Sequence, residues 1–213
     1  MIFQLDAHSF SFPDPALAEP DGLLAIGGDL RPARLMEAYR QGIFPWYNDD
    51  TPILWYSPHE RFVLRPDRLK ITKSMRQVLR SGRFDVTFDQ AFAEVIAACA
   101  TQARPGQDGT WITNDMQGAY KELHALGHAH SVEVWLAGEL VGGLYGVTVG
   151  SVFCGESMFS KEANASKVAL ASLCQSGRYS LIDCQVYTDH LASLGAVMVS
   201  RAEYMSELTG KPL

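Results

Sequence analysis

Cysteine is scarce and widely spaced in this chain of 213 residues: Cys99, Cys154, Cys174 and Cys184 contain no Cys-x-x-Cys pair. That spacing excludes the zinc-ribbon and thioredoxin patterns, and the apolar neighbours of each thiol suit a reduced residue packed as a small hydrophobe. No cationic neighbour or helix cap is visible to lower the pKa of Cys154, so a thiol nucleophile is not expected. Long hydrophobic runs are lacking as well. The stretch from Leu140 to Phe153 is broken by glycines and falls short of the roughly 20 apolar residues of a bilayer span. The opening MIFQLDAHSF has an acid and no basic residue before its short apolar stretch, unlike a secretory signal. These features predict a cytoplasmic protein with no membrane partner. A metal site is not expected. His124, His128 and His130 lie close in sequence, but Gly127 breaks the helix between them and destroys the i, i+4 spacing that would gather them.

What remains is an ordinary globular composition, 47% hydrophobic and 20% charged, enough for a substantial core. The formal net charge of −6 argues against indiscriminate polyanion binding, yet the charge is uneven. Between Arg61 and Arg83 lie eight of the 18 basic residues with Asp67 as the sole acid, a local +7 that leaves −13 for the rest. One basic band on an acidic protein suits a nucleic acid held on a single face, with Arg65, Arg68, Lys70, Lys73, Arg76 and Arg80 as the candidate contacts.

Turn signals crowd the first sixty residues, from Phe12-Pro-Asp-Pro to Tyr56-Ser-Pro. One helix is expected there, capped by Asp29, with Pro32 in its first turn and Gly42 stopping it. This predicts a small, loop-rich α+β N-terminal domain over residues 1–60 and a larger domain over 61–213. In the latter, Thr72 is expected to cap a helix to Arg80, Phe84 to Phe88 a strand, and Asp89 to cap a helix through Cys99. Thr113 or Asn114 opens another helix. His130 to Leu136 and Leu140 to Thr148 read as a hairpin around Ala137-Gly138, followed by a strand near Val152. A helix over Ala163 to Cys174, a strand from Leu181 to Val186 and short terminal helices complete the prediction. Helices, an antiparallel meander, then helix and strand is an order that resembles the GNAT acyltransferase fold, an α/β fold of the α+β type. Its mixed, largely antiparallel sheet is flanked by helices. Acetyltransferases of that fold hold the CoA pyrophosphate on a Gly-rich loop before the central helix. Here Phe159-Ser-Lys-Glu-Ala-Asn-Ala-Ser-Lys167 contains no glycine, so CoA is not the expected donor and no cofactor is expected.

Several blocks carry a closer resemblance: Gly22-Leu-Leu-Ala-Ile-Gly-Gly-Asp-Leu30, Ala38-Tyr-Arg-Gln-Gly-Ile-Phe-Pro-Trp46, Gly109-Thr-Trp-Ile-Thr113, Leu140-Val-Gly-Gly-Leu-Tyr-Gly146, Phe153-Cys-Gly-Glu-Ser-Met-Phe-Ser160 and Leu181-Ile-Asp-Cys-Gln185. From Phe12 to Tyr204 the chain resembles the leucyl/phenylalanyl-tRNA–protein transferases. The resemblance implies transfer of Leu, Phe and less readily Met from aminoacyl-tRNA to proteins beginning with Arg or Lys, which marks them for N-end-rule degradation. It implies a monomer whose partners are aminoacyl-tRNA and such proteins. Asp183 and Gln185 then take the catalytic place. The aminoacyl group and terminal adenosine fall to Tyr39, Trp46, Trp111, Leu144, Phe153, Gly155, Glu156, Ser157, Met158, Leu170 and Ile182. At the Leu144 position some of the family have methionine, a nearly volume-conserving exchange.

The residues themselves support parts of this. Tyr39, Trp46 and Trp111 stand beside Gly and Pro turns, where a ring can stay exposed and stack on a base. Strand alternation predicts Glu156 and Met158 on one face, a carboxylate beside an apolar slot that suits a substrate ammonium group. It likewise puts Asp183 and Gln185 on one face, opposite Ile182 and Cys184. An ester is already activated, and an α-amino group of pKa about 7.7–8.0 costs only about 1 kcal/mol to deprotonate at pH 7. Gln185 is therefore expected to act as a hydrogen-bond acceptor for the amine, with Asp183 fixing its orientation. The alternatives are a CoA-dependent N-acetyltransferase, disfavoured by the missing glycines, and a non-catalytic RNA-binding module, which needs no buried acid–amide group.

Overall fold

The computed structural model describes residues 2–6, 8–102 and 111–211. Its first sixty residues build a four-stranded sheet from β1 (Phe3–Leu5), β2 (Leu23–Gly27), β3 (Phe44–Pro45) and β4 (Leu54–Tyr56), ordered β1-β2-β4-β3. The strands are too short and too interrupted by turns for alternation to reveal them. Between β2 and β3 runs α1 (Pro32–Arg40), which begins at proline and ends before Gly42 as expected. Asp29 does not cap it. The first non-helical residue is Arg31, and the Asp29 carboxylate accepts from the Arg31 N–H at 2.9 Å and its guanidinium at 2.7 Å. The Arg31 hydrogen bond is the largest cause holding Asp29 down to about 2.

The remaining strands form one seven-stranded mixed sheet. They are β5 (Glu60–Leu64), β6 (Asp85–Phe88), β7 (Ala129–Leu136), β8 (Glu139–Val149), β9 (Val152–Ser160), β10 (Leu181–Gln185) and β11 (Val197–Ser200), ordered β11-β5-β10-β9-β8-β7-β6. Interleaved are α2 (Lys73–Arg80), α3 (Phe92–Thr101), α4 (Asn114–Ala125), α5 (Ala165–Gln175), α6 (Asp189–Ser193) and α7 (Arg201–Thr209). Ala137 and Gly138 take φ of 51° and 84°, the two left-handed residues that a two-residue hairpin requires, and β7 to β9 form the meander. The crossover through α5 then makes β10 parallel to β9. This succession, with α3 and α4 between β6 and β7, is the GNAT-type arrangement. Thr72 and Thr113 cap α2 and α4 as expected, each accepting an N–H three residues on. Asp89 does not cap α3; it accepts from Ser131 N and His130, while the Glu133 carboxylate lies 3.4 Å from the N–H of Gln90 and of Ala91. Helix α5 begins two residues later than expected, after Asn164 in the left-handed region. The short strand β11 stands where the sequence suggested only helices.

The two faces of the large sheet bury separate clusters. Cys154 and Leu181 lie in one; Phe153 and Ile182 lie in the other, with Phe62, Leu144 and Leu170. The first cluster also contains Leu24, Tyr39 and Trp55 from the N-terminal region, so the small sheet packs on the large one through a continuous apolar core. Arg201, at the start of α7, donates to the carbonyls of Pro15, Ser57 and Pro58, fastening N-terminal loop backbone to the large domain and meeting its need for hydrogen-bond partners. Among the described residues no helix is long and apolar enough to cross a membrane.

Candidate active site

Strands β9 and β10 run in parallel register, with Ile182 beside Phe153 and Asp183 beside Cys154, and then both are interrupted. On β9, Gly155 faces Gly146 and Ser157 faces Tyr145, so Glu156 is an extra residue. Gly146 has no alternative at this bulge, because an added Cβ would lie 2.3 Å from the Cys154 carbonyl oxygen. On β10, Asp183 faces Val63 and Gln185 faces Phe62, which leaves Cys184 unmatched. The Val186 N–H donates back to the Cys184 carbonyl at 2.8 Å around Gln185, whose φ is 64°. This is a γ-turn of the strained class. Paired irregularities of this kind re-aim side chains and end strand pairing. Here they open a cavity of about 780 Å³ walled by Trp46, Trp111, Leu144, Phe153, Met158, Leu170 and Ile182, with Glu156, Asp183 and Gln185 at its polar end.

Two polar groups hold that end. The Asp183 carboxylate is fully buried and receives Arg61 through two nitrogens, Nε at 2.8 Å and Nη2 at 2.7 Å. The Tyr204 hydroxyl donates to it at 2.9 Å and the Gln185 N–H at 2.8 Å. Arg61 is itself 2% exposed, lies over the rings of Phe44 and Tyr204, and gives its remaining Nη1 to the Gly42 carbonyl. Burial disfavours its charge, but the facing Asp183 outweighs that and moves its pKa further up. The second group is Glu156, which accepts from Tyr39 OH at 2.7 Å, Tyr120 OH at 3.2 Å and Gln185 Nε2 at 2.7 Å, while the two tyrosine hydroxyls also touch. Burial pushes Glu156 up to about 7 against the pull of those three hydrogen bonds. Among the described residues no protein donor meets Gln185 Oε1, so the carboxamide turns its acceptor end toward the cavity it lines.

Asp183, Gln185 and every expected substrate-binding residue except Tyr39 line this cavity. Tyr39 is corrected from a stacking platform to a buried support: it is 1% exposed and its hydroxyl reaches Glu156, so no base can lie on its ring. Trp46, by contrast, is 40% exposed at the cavity rim. Glu156 and Met158 do not share a face. The bulge sends Glu156 to the tyrosines of one cluster and Met158 into the other, and they meet only at the cavity wall. Gly109 and Thr110 of the Gly109 to Thr113 block lie outside the described residues. Arg61, Tyr120 and Tyr204 were not anticipated as site residues. The one available signal was Asp183 itself, since a buried acid requires a cation or several donors.

Arg61 also leaves the basic band, being internal. Arg65, Arg68, Lys70, Lys73, Arg76 and Arg80 are all exposed. Arg65 pairs with Glu207 and Arg68 with Asp67, whereas Lys70, Lys73, Arg76 and Arg80 have no acid at ion-pair distance among the described residues. The histidines have other partners: His124 Nδ1 meets the Ala129 carbonyl and His130 Nδ1 meets Asp89 at 3.0 Å, a contact that raises the His130 pKa. Cys154 is buried, and burial moves its thiol well above the usual range.

A mixed sheet broken between its parallel pair, with an apolar cavity ending at an amide and two acids, suits an acyl-group transferase. The chain belongs to the leucyl/phenylalanyl-tRNA protein transferase family, an aminoacyltransferase family, whose model matches residues 63–209 and whose N-terminal domain model matches residues 28–59. Proteins named leucyl/phenylalanyl-tRNA–protein transferase are similar along most of their length. That of Syntrophus aciditrophicus is 60% identical over 196 residues, covering 91% of this chain and 82% of that protein. That of Yersinia pestis is 56% identical over 214 residues, covering 98% and 89%. Looser structural likenesses are FemX, at TM-score 0.48 and 10% identity over 79% of this chain and 66% of that one, and a GCN5-related N-acetyltransferase from Kribbella flavida. The latter scores 0.38 at 12% identity over 78% and 60%.

Proposed function

We propose that this enzyme transfers Leu, Phe and less readily Met from aminoacyl-tRNA to the α-amino group of proteins beginning with Arg or Lys, in the cytoplasm and as a monomer, marking them for N-end-rule degradation. The observation that carries the reading is the Gln185 carboxamide at the end of an apolar cavity, its oxygen unclaimed by any described protein donor. Leu144, Phe153, Met158, Leu170 and Ile182 accept an apolar side chain unbranched at Cβ, aliphatic or aromatic, and Trp46 and Trp111 at the same cavity offer faces for the terminal adenosine. Glu156 retains one acceptor position for the donor's ammonium group. Gln185 Oε1 accepts a hydrogen bond from the attacking amine; as the peptide bond forms and the ester bond breaks, the amine's proton goes to the leaving 3′ oxygen of the tRNA, directly or through solvent, to give its hydroxyl. Orientation supplies most of the rate, because the ester is already activated. The exposed band from Arg65 to Arg80 meets tRNA phosphates, and the chain divides functionally near residue 60. The test is direct: charged Leu-tRNA and a peptide beginning with Arg should yield the peptide extended by Leu. A peptide beginning with Asp should not react. Equal extension of both would remove the acceptor assignment, and no extension of either would remove the reaction.

A further inference from the structure

We infer that Glu156, rather than Asp183, is the positioning residue that sets which end of the Gln185 amide faces the acceptor amine. The inference rests on the reading of Gln185 as the amine's hydrogen-bond acceptor. A carboxylate has about four lone-pair sites, and all those of Asp183 are filled: Oδ1 by Arg61 Nε and the Gln185 backbone N–H, Oδ2 by Arg61 Nη2 and Tyr204 OH. Nothing is left there for the Gln185 side chain. Asp183 fixes the backbone of the γ-turn, and among the described residues the amide itself is held only by Nε2 donating to Glu156 Oε1 at 2.7 Å. The two ends of an amide are nearly the same size, so sterics do not choose between them. Charge does. Flipped, Oε1 would stand at that distance from a carboxylate oxygen, acceptor against acceptor, and the end offered to the amine would be a donor. A proton on Glu156 removes the conflict, so the ionised acid locks the productive orientation and the neutral acid releases it.

The surroundings place that change in the neutral range. Glu156 faces Tyr39 from α1, Tyr120 from α4, and Gln185 from β10, with the Tyr145 ring of β8 against Tyr120. Asp183 and Cys154 lie nearby, and Arg61 on β5 is bound to Asp183, while the other buried cation, Arg34, faces Asp29 and the Asp6 carbonyl. Among the described residues no protein cation holds Glu156 ionised.

Two measurements on the full chain test this. The first is ¹⁵N NMR of side-chain amides, with Gln185 identified by its loss in Gln185→Ala. Its resonances should titrate near pH 7 in the parent protein and stay fixed in Glu156→Gln, whose shape is unchanged. The parent titration decides the matter even where the variant folds poorly. The second is single-turnover Leu transfer with saturating charged tRNA. Glu156→Gln should slow it about tenfold or more, and the loss should be several-fold smaller in the Gln185→Ala background, because the amide it positions is gone. Gln185 resonances that do not move with pH, or rate losses that multiply independently, would overturn the assignment. A parent protein that transfers nothing would remove the proposed function while leaving the NMR result standing.

Discussion

Replacing Arg61 with methionine should cost far more than an average core substitution. The guanidinium is 2% exposed and gives two hydrogen bonds to an acid that is fully buried. Without it, Asp183 keeps only one hydroxyl and one backbone N–H, and breaking one side of a buried pair typically costs about 3–5 kcal/mol. For a chain of 213 residues that corresponds to a fall in Tm of roughly 6–20 °C, at about 2–4 °C per kcal/mol for this size. Urea unfolding followed by tryptophan fluorescence would read it, and the loss should persist at 1 M salt because a buried pair is weakly screened. Asp183→Asn should be similarly damaging, since it leaves the Arg61 charge unmatched. The double variant Arg61→Met with Asp183→Asn should recover part of the loss, as no uncompensated charge remains. A single-variant loss under about 1 kcal/mol, or strict additivity of the two, would show that the pair is hydrated and that Asp183 does not depend on it. Transfer activity should fall in both single variants, because Asp183 Oδ1 holds the Gln185 backbone N–H.

Gln185→Glu keeps an acceptor oxygen but sets two carboxyls at the 2.7 Å contact with Glu156, which must then share a proton; its transfer rate should be highest at acid pH and decline as pH rises, and a profile like that of the parent would contradict the contact. The Glu156 pKa, raised from 4.5 to about 7, means that the folded state holds its proton more tightly than the unfolded chain. Its stabilising contribution is therefore full below pH 4.5 and lost as pH rises through about 7, a swing of about 3 kcal/mol relative to Glu156→Gln; denaturant midpoints for the two proteins at pH 5 and pH 8 would show it. Reversing the charges of Lys70, Lys73 and Arg76 together should raise the donor KM and flatten the dependence of tRNA affinity on salt, by somewhat under one unit of slope per lost phosphate contact. An unchanged slope would move the tRNA off this band. Acetyl-CoA should show no binding by calorimetry, given the glycine-free turn before α5, and a micromolar affinity would refute that.

The elements with strong local signals were readable in the chain: the threonine caps of α2 and α4, the Ala137-Gly138 hairpin, and the order that leads from β6 through the meander to β10. The cavity walls from Leu144 to Ile182 were readable through the family blocks. Three features were hidden for a common reason, that they depend on partners distant in sequence. The bulge at Glu156 arises from pairing with β8, so no pattern within β9 announces that its alternation changes phase. Tyr39 looked like a rim aromatic because its neighbours are turn residues, but packing of α1 against the large sheet turns it inward to an acid 117 residues away. Arg61 was counted with the basic band since charge along the chain does not separate surface from interior. Its partner is 122 positions downstream. Asp29 and Asp89 have the composition of helix caps and instead bind nearby polar groups other than the first N–H groups of the helices, which caps and such turns use interchangeably.

The arginines that reach back into the N-terminal loops have a consequence for how the molecule comes apart. Arg201 holds the carbonyls of Pro15, Ser57 and Pro58, and Arg61 holds that of Gly42. With its cysteines free, the protein fastens a loop-rich region by threading cations from the large sheet and its last helix into the backbone of the small one. The junction near residue 60 is therefore a seam in chain composition but not a line of fracture. Amide exchange in β2 and β4 should slow and quicken together with that in β5 and β10, and a protease acting on native protein should find no foothold at that junction before the whole structure opens.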